Sequence, residues 1–352
     1  MVKRISTARE PGKSVTMRDI AALVGVSQAT VSYVLNAHPQ ARVSPDTRQR
    51  VLEAANRLHY RPNAIARAMA SGRSRTIGVY QPHVIESPLM GMWSVAVTRG
   101  IGMALHARQL HLLLYGYRAE EDPTPAAFLD GSVDGLIILA PHLSDALPGL
   151  LAGAGFPTVI VGGHERAEEA TFSIDVDNVA GGRLATEHLL RLGHRRIAHL
   201  QGPSDVPNAI DRRIGYEEAL RAHNVPMRPE YLIPAGFAVA EGYQAARAAL
   251  CLEPRPTALL AANDLAALGA LNACADAGVR VPEEMAVVGY DDAPICELAR
   301  PTLTTLRQPA QEMGRAAAEI LCAVLDGKPP SERRRLFPAE LVVRESCGGR
   351  RA

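Results

Sequence analysis

Two sets of polar residues stand where side chains can do chemistry. The first is Ser27, Gln28, Ala29, Thr30, Ser32, Tyr33 and Asn36, on the outward face of a short helical pattern. Hydroxyls and amides so placed bond phosphates, an amide such as Gln28 pairs bidentately with adenine, and a methyl such as that of Ala29 touches a thymine methyl. The second set closes a series of apolar runs: Gln81, Gly162, Asn263 with Asp264, and Asp291 with Asp292. Residues at the carboxyl ends of parallel strands face the crevice in which such sheets bind ligands. Reaction chemistry has no comparable constellation. There is no GxGxxG or Walker-type loop, no HExxH and no GxSxG elbow. The 11 histidines lack metal-ligand spacing, and His194 in LGHRR reads as a structural turn residue. An enzyme, a cofactor and a metal are therefore not expected.

The elements that must position these residues fall into two kinds. Up to about residue 60 the pattern is helical. Thr16 and Asp19 form a capping-box start, Ile20, Leu23 and Val24 give an apolar face, and Gly25 stands where a left-handed residue ends a helix. Ser27 caps a second helix with Val31, Val34 and Leu35 facing inward. Ser44-Pro45-Asp46 starts a third, whose expected core stripe is Val51, Leu52, Ala55 and Leu58. Two short helices joined by a tight glycine turn form a helix-turn-helix pattern, which alone fits either DNA binding or a helical pair with a solvated face.

From residue 76 the pattern alternates. Apolar runs at 76–82, 110–117, 134–141, 156–163, 195–202, 256–263 and 284–291 are strand-like and read as covered on both faces. Between them lie helical segments at 95–107, 179–192, 210–223, 241–250 and 265–277. This predicts right-handed βαβ units in open α/β sheets, and about 270 residues suggest two similar lobes. The 352-residue chain is 47% apolar and 21% charged, which excludes a disordered chain. Its net charge of +1 conceals an asymmetry: residues 1–75 carry 13 basic and 4 acidic side chains, a balance of +9, against −8 for the rest. A basic end on an acidic body suits a polyanion-binding module. No apolar stretch reaches membrane-span length, and the N-terminus has no secretory h-region. Five cysteines without a CxxC fit a reducing compartment, so a cytoplasmic location is expected.

Several motifs are specific in combination. VTMRDIAALVGVSQATVSYVLN (15–36) closely resembles the headpiece of LacI/GalR-type bacterial transcription repressors. The likeness continues through the segments at 43–79, 188–202, 261–271, 278–292 and 301–321. The resemblance implies an all-α helix-turn-helix headpiece at 1–61, a hinge helix and linker at 62–75, and an α/β periplasmic-binding-protein-like core at 76–346. That core would have an N-lobe of about 76–175 and 308–334, a C-lobe of about 176–307 and 335–346, and a tail at 347–352. It further implies DNA contacts from Thr16, Arg18, Ser27, Gln28, Ala29, Thr30, Ser32, Tyr33, Asn36 and Arg42, and from Asn63, Ala66 and Met69 of the hinge. Tyr33 departs from the commoner arginine, which removes a guanine contact and leaves the operator undefined. Met69 stands where the family has a wedging leucine; packing against the core is the alternative.

The same resemblance assigns effector contacts to Arg212, Phe237, Asn263 and Asp291, and, beyond the first strand, to Ser87, Leu89 and Trp93. Each has a plainer alternative: a surface ion pair for Arg212, a helix cap for Asn263, a turn for Asp291 and core packing for Phe237. Gly162 replaces an Asp or Arg common in the family, so one polar contact is missing or supplied elsewhere. The implied function is an effector-controlled repressor, homodimeric on a pseudo-palindromic operator, with a sugar or sugar derivative as effector. Nine residues after Val343 lack the heptads of the family's tetramers. A periplasmic-type binding protein is the rival reading, opposed by the headpiece; an α/β enzyme is another, opposed by the missing constellation.

Overall fold

The computed structural model describes residues 15–35, 42–61, 72–82, 91–116, 124–163 and 171–349. Asn36, Asn63, Ala66, Met69, Ser87 and Leu89 lie outside them. The chain divides into two compact units, Met1–Ser74 and Arg75–Ala352.

In the first unit three helices form: α1 (Met17–Val24), α2 (Gln28–Leu35) and α3 (Pro45–Arg57). The Asp19 carboxylate accepts from both the Thr16 amide and hydroxyl, at 2.9 and 3.0 Å, which fixes where α1 starts. Gly25 ends it at φ 74°, a conformation open to glycine at little cost, and α2 follows two residues later. Ser27 Oγ accepts from the Thr30 amide, and Ser44 Oγ from the Thr47 amide. The core is Ile20, Val24, Val31, Val34, Val51, Ala54 and Ala55. Two expected core residues are exposed instead: Leu23 at 37% and Leu52 at 44%. On α3 the buried stripe runs 51, 54, 55, 58 at helical spacing, and residue 52 falls about 100° away from its centre.

The second unit holds two parallel sheets. Six strands run in the order β11-β5-β4-β3-β1-β2, where β1 is Thr76–Tyr80, β2 His111–Tyr115, β3 Gly135–Leu139, β4 Thr158–Val161, β5 Phe172–Val176 and β11 Arg334–Phe337. Four more run β7-β6-β8-β9, with β6 Ile197–Gln201, β7 Leu232–Pro234, β8 Ala258–Ala261 and β9 Ala286–Val288. β10 (Thr305–Arg307) and β12 (Glu340–Val342), which flank β11 in sequence, form an antiparallel pair. The helices are α4 (Met92–Ala107), α5 (Leu147–Gly153), α6 (Asn178–Arg191), α7 (Pro207–Ala222), α8 (Val239–Leu250), α9 (Asp264–Asp276), α10 (Ile295–Leu298) and α11 (Ala310–Leu325). Since β1–β5 and β11 share one sheet and β6–β9 the other, the chain changes lobe three times: between β5 and α6, between β10 and α11, and between β11 and β12.

The strands β1, β3, β4, β5 and β9 are buried nearly throughout, as expected of parallel strands with helices on both faces. The 110–117 run departs from that expectation. It forms the edge strand β2, and Leu113 and Leu114 are 37% and 60% exposed. Helices pack in pairs through glycines that let backbones touch. On α6 and α7, a Cβ at Gly182 would collide with the Arg212 carbonyl, and one at Gly215 with that of Val179. The same reciprocity joins α4 to α11 through Gly100 and Gly314, and α8 to α9 through Gly242 and Gly269.

Candidate functional site

The outward face of α2 carries Gln28, Ala29 and Tyr33, with Ser27 at its cap; all four are exposed, and Thr30 and Ser32 are half-buried. Thr16, Arg18 and Arg42 are also exposed. Arg50 donates to the Val24 carbonyl at 2.7 Å, tying α3 to the end of α1, just before the turn into α2. One small module thus offers a helix face of amides, hydroxyls and a methyl, flanked by guanidiniums.

In the second unit the best-defined side chain is that of Arg212, 5% exposed on α7. Its Nε donates to Asn178 Oδ1 at 2.9 Å and its Nη1 to the Ala262 carbonyl. The guanidinium lies 3.7 Å from the Tyr290 ring centre, and Nη2 stands 3.9 Å from Asp291 Oδ1. Asp291 also accepts from Gln308 Nε2 at 2.6 Å. Its backbone is at φ 123°, a region costly for a residue with a side chain. Burial raises the carboxyl above its ordinary range and Arg212 opposes that rise.

A cavity of about 420 Å³ opens between the lobes, lined by Trp93 and Ala96 of α4, and by Asp291, Asp292, Arg307 and Gln308. Among the described residues, Trp93 Nε1 and Gln308 Oε1 are buried without hydrogen-bond partners, one a donor and the other an acceptor. Such groups are costly unless something completes them. A Cβ at Gly162 would fall 2.5 Å from Trp93 Cη2, so the absent side chain at 162 makes room for the indole. Asn263 and Phe237 form a separate pair beside it. Asn263 caps α9 through the Ala266 amide at 2.8 Å and donates to the Phe237 carbonyl at 3.0 Å. Asn263 therefore does act as a helix cap, and Arg212 is a buried anchor rather than a surface ion pair.

Two further contacts cross the lobes. His142, beyond β3, pairs with Asp205 at 2.9 Å, and the Leu143 amide donates to the Asp205 carbonyl at 2.8 Å. Asp264, 1% exposed, accepts from Thr305 Oγ1 and from the Ala293 amide at 2.8 Å, which pins the 291–293 loop to the start of α9. Burial, reinforced by the charge of Asp291, pushes its carboxyl up. Asp264 stood among the expected strand-end residues, whereas Asp175, Asn178 and Gln308 were not singled out by the sequence reading. For Gln308 a signal was present: it follows the expected lobe crossing near 307 inside a family motif.

The first part of the chain, residues 16–63, matches the family model described as bacterial regulatory proteins, lacI family. Residues 186–347 match the periplasmic binding protein-like domain. The transcriptional regulator CelR of Thermobifida fusca is 37% identical over 94% of this chain and 98% of its own. The chain belongs to the LacI family. Another similar member is the transcriptional repressor CytR of Escherichia coli, 31% identical over 96% of this chain and 98% of its own. Among solved structures, a CelR–cellobiose complex aligns with a TM-score of 0.74 at 36% identity, covering 94% of this chain and 99% of that one. A lac repressor dimer bound to operator and an anti-inducer aligns at 0.80 and 29%, covering 95% and 99%. As a LacI-family member the chain is a DNA-binding transcription regulator and not an enzyme.

Proposed function

We propose that the protein is a dimeric repressor whose operator affinity is changed by a β-linked glucose disaccharide of the cellobiose type held between the two lobes. The observation that carries this reading is the inter-lobe cavity, lined by a buried N–H donor (Trp93), a buried C=O acceptor (Gln308) and Asp291, behind which Arg212 stands 3.9 Å from the carboxylate. A sugar hydroxyl both donates and accepts, and a pyranose face lies flat on an indole. The likeness to a regulator solved with cellobiose points the same way. In this reading Arg212, Asp291 and Trp93 contact the effector together with Asn263 and Phe237, and Ser87 and Leu89 complete the first lobe's side.

On the DNA side, Thr16, Arg18, Arg42 and the cap hydroxyl of Ser27 hold phosphates, Gln28, Ala29 and Tyr33 read bases, and Asn36, Asn63, Ala66 and Met69 extend the contact. A second copy covers apolar side chains of the first lobe: Val95 (67% exposed) and Met103 (54%) of α4, and Leu114 (60%) of the edge strand β2. The protein acts in the bacterial cytoplasm, on the nucleoid. Effector binding closes the lobes and thereby changes whether two headpieces engage an operator, a differential-affinity effect. The test is enrichment of bound duplexes from a random pool, followed by titration of the winning duplex with and without cellobiose. A sequence-specific complex whose affinity responds to cellobiose supports the reading; indifference to it removes the effector assignment.

A further inference from the structure

The strand β5 reads FSIDV, and its neighbours Ile174 and Val176 are both core residues. Asp175 between them is 2% exposed. A carboxylate in a doubly covered strand is costly, and its place needs a reason. That reason lies in its contacts. Asp175 Oδ1 accepts from the Val176 amide at 2.8 Å and from Asn178 Nδ2 at 3.2 Å. Asn178 Nδ2 also donates to the Val176 carbonyl at 3.1 Å, so its amide is oriented with the oxygen toward Arg212 Nε. On the other side, the Asn208 amide, oriented by the acceptors around it, donates to Asp175 Oδ2 at 3.0 Å and to the Gly162 carbonyl at 3.2 Å. Asn208 belongs to α7 of the second lobe and Gly162 follows β4 of the first.

We infer that Asp175 is a positioning residue for the effector site: through Asn178 it aims the guanidinium of Arg212, and through Asn208 it couples that aim to the contact between the lobes. This rests on the reading of Arg212 as an effector residue. The carboxylate can only accept and is the one acceptor that both amides share, so both present nitrogens to it. An asparagine at 175 presents one donor. Either Asn178 or Asn208 must then turn, and one leg of the relay is lost. If Asn178 turns, its NH₂ faces Arg212 Nε, donor against donor. The groups that face Asp175 are Arg212 and Asp211 of α7, with Tyr290 from the loop after β9; burial pushes the Asp175 carboxyl up to about 7.

The raised carboxyl separates positioning from mere structure. At pH 8 the charge at 175 works against folding, so Asp175→Asn leaves the thermal midpoint unchanged or raises it. Effector affinity moves the other way. Loss of one well-placed hydrogen bond to a charged group corresponds to about a tenfold weaker dissociation constant.

The experiment is calorimetric titration of the full-length protein with cellobiose at pH 8, alongside thermal unfolding, for wild type, D175N, N178A and R212Q. The expected result is R212Q without measurable binding, D175N and N178A weakened about tenfold, and D175N no less stable than wild type. N178A keeps the relay testable if D175N does not fold. Wild-type affinity in D175N and N178A, with R212Q defective, overturns the inference and leaves the site reading standing. A loss of stability in D175N that parallels its loss of affinity also overturns it, since that is the behaviour of a structural residue. Wild type that takes no cellobiose, or R212Q that binds it normally, removes the site reading and the inference with it.

Discussion

Gln308 donates its amide to Asp291 at 2.6 Å, at the point where the chain leaves the second lobe for α11 of the first. The bond matters because Asp291 sits at φ 123°, held there by its amide on the Leu306 carbonyl at 2.7 Å. The bond thus joins a lobe crossing, at Gln308, to a strained backbone and a buried carboxylate facing Arg212, at Asp291.

Asp291→Asn keeps the shape and tolerates the backbone, since asparagine enters positive φ more readily than most residues. It removes the charge that faces Arg212. Cellobiose affinity should fall by roughly tenfold or more, the weight of a charge-assisted hydrogen bond. In wild type the affinity should also fall as pH drops through the raised pKa of Asp291, because the carboxylate is the binding form. D291N should show a weaker dependence, the part that remains coming from Asp175 at about 7, and titrations at pH 5.5 and 7.5 check both.

Stability carries the opposite sign. Asp175, Asp264 and Asp291 all have carboxyls raised by burial, Asp175 to about 7. Folded protein then holds protons that the unfolded chain has released, so this contribution is full below about pH 4 and is lost as pH rises through the folded values. His199 acts in reverse, lowered to about 4 by burial: its contribution is present above 6.5 and lost as pH falls toward 4. Above 6.5 only the acids act, and the thermal midpoint should decline between pH 6.5 and 8. A midpoint that rises across this interval would contradict the burial of these three carboxyls.

Gly182→Ala places a methyl against the Arg212 carbonyl and forces α6 and α7 apart. The backbone has nowhere to retreat, so a cost of about 1–3 kcal/mol is expected. Because the displaced residue is Arg212, effector affinity should fall as well. Gly102→Ala on α4, where an added Cβ meets nothing within 4 Å, is the matched control: it should leave effector affinity unchanged and raise stability by about 0.5–1 kcal/mol, the usual gain of alanine over glycine inside a helix.

Gln28→Ala should cost about 1–3 kcal/mol of operator affinity if Gln28 reads a base edge. Binding to unrelated duplex should hardly change, and the salt slope should be kept, since no phosphate contact is lost. Arg18→Ala should do the reverse, weakening both duplexes and flattening the slope. Mobility shifts at two salt concentrations separate the two behaviours.

The headpiece was legible because its signals are local: a capping pair, a glycine turn and a Ser-Pro start each fix one helix end. The alternating body was legible for the same reason, yet β5 escaped because Asp175 interrupts its apolar run. The three-residue strands β7, β9, β10 and β12 are too short for periodicity to mark their ends. Leu23 and Leu52 were misplaced because apolar character was read without the helical angle, and β2 because an apolar run does not say whether its sheet continues. In the site, Arg212 and Asp291 came from motif position, whereas the relay through Asn178 and Asp175 depends on two elements meeting at a lobe crossing. Local pattern does not encode that meeting.

In a repressor of this kind the inter-lobe site governs DNA binding. Fluorescence anisotropy of a selected operator duplex, titrated with wild type and with R212Q in the presence and absence of cellobiose, measures this directly. Wild type should show an operator affinity that cellobiose shifts by at least about fivefold, the lower range of allosteric coupling. R212Q should bind the same duplex with normal affinity and ignore the sugar. Equal sugar responses in the two proteins, or none in wild type, would contradict it.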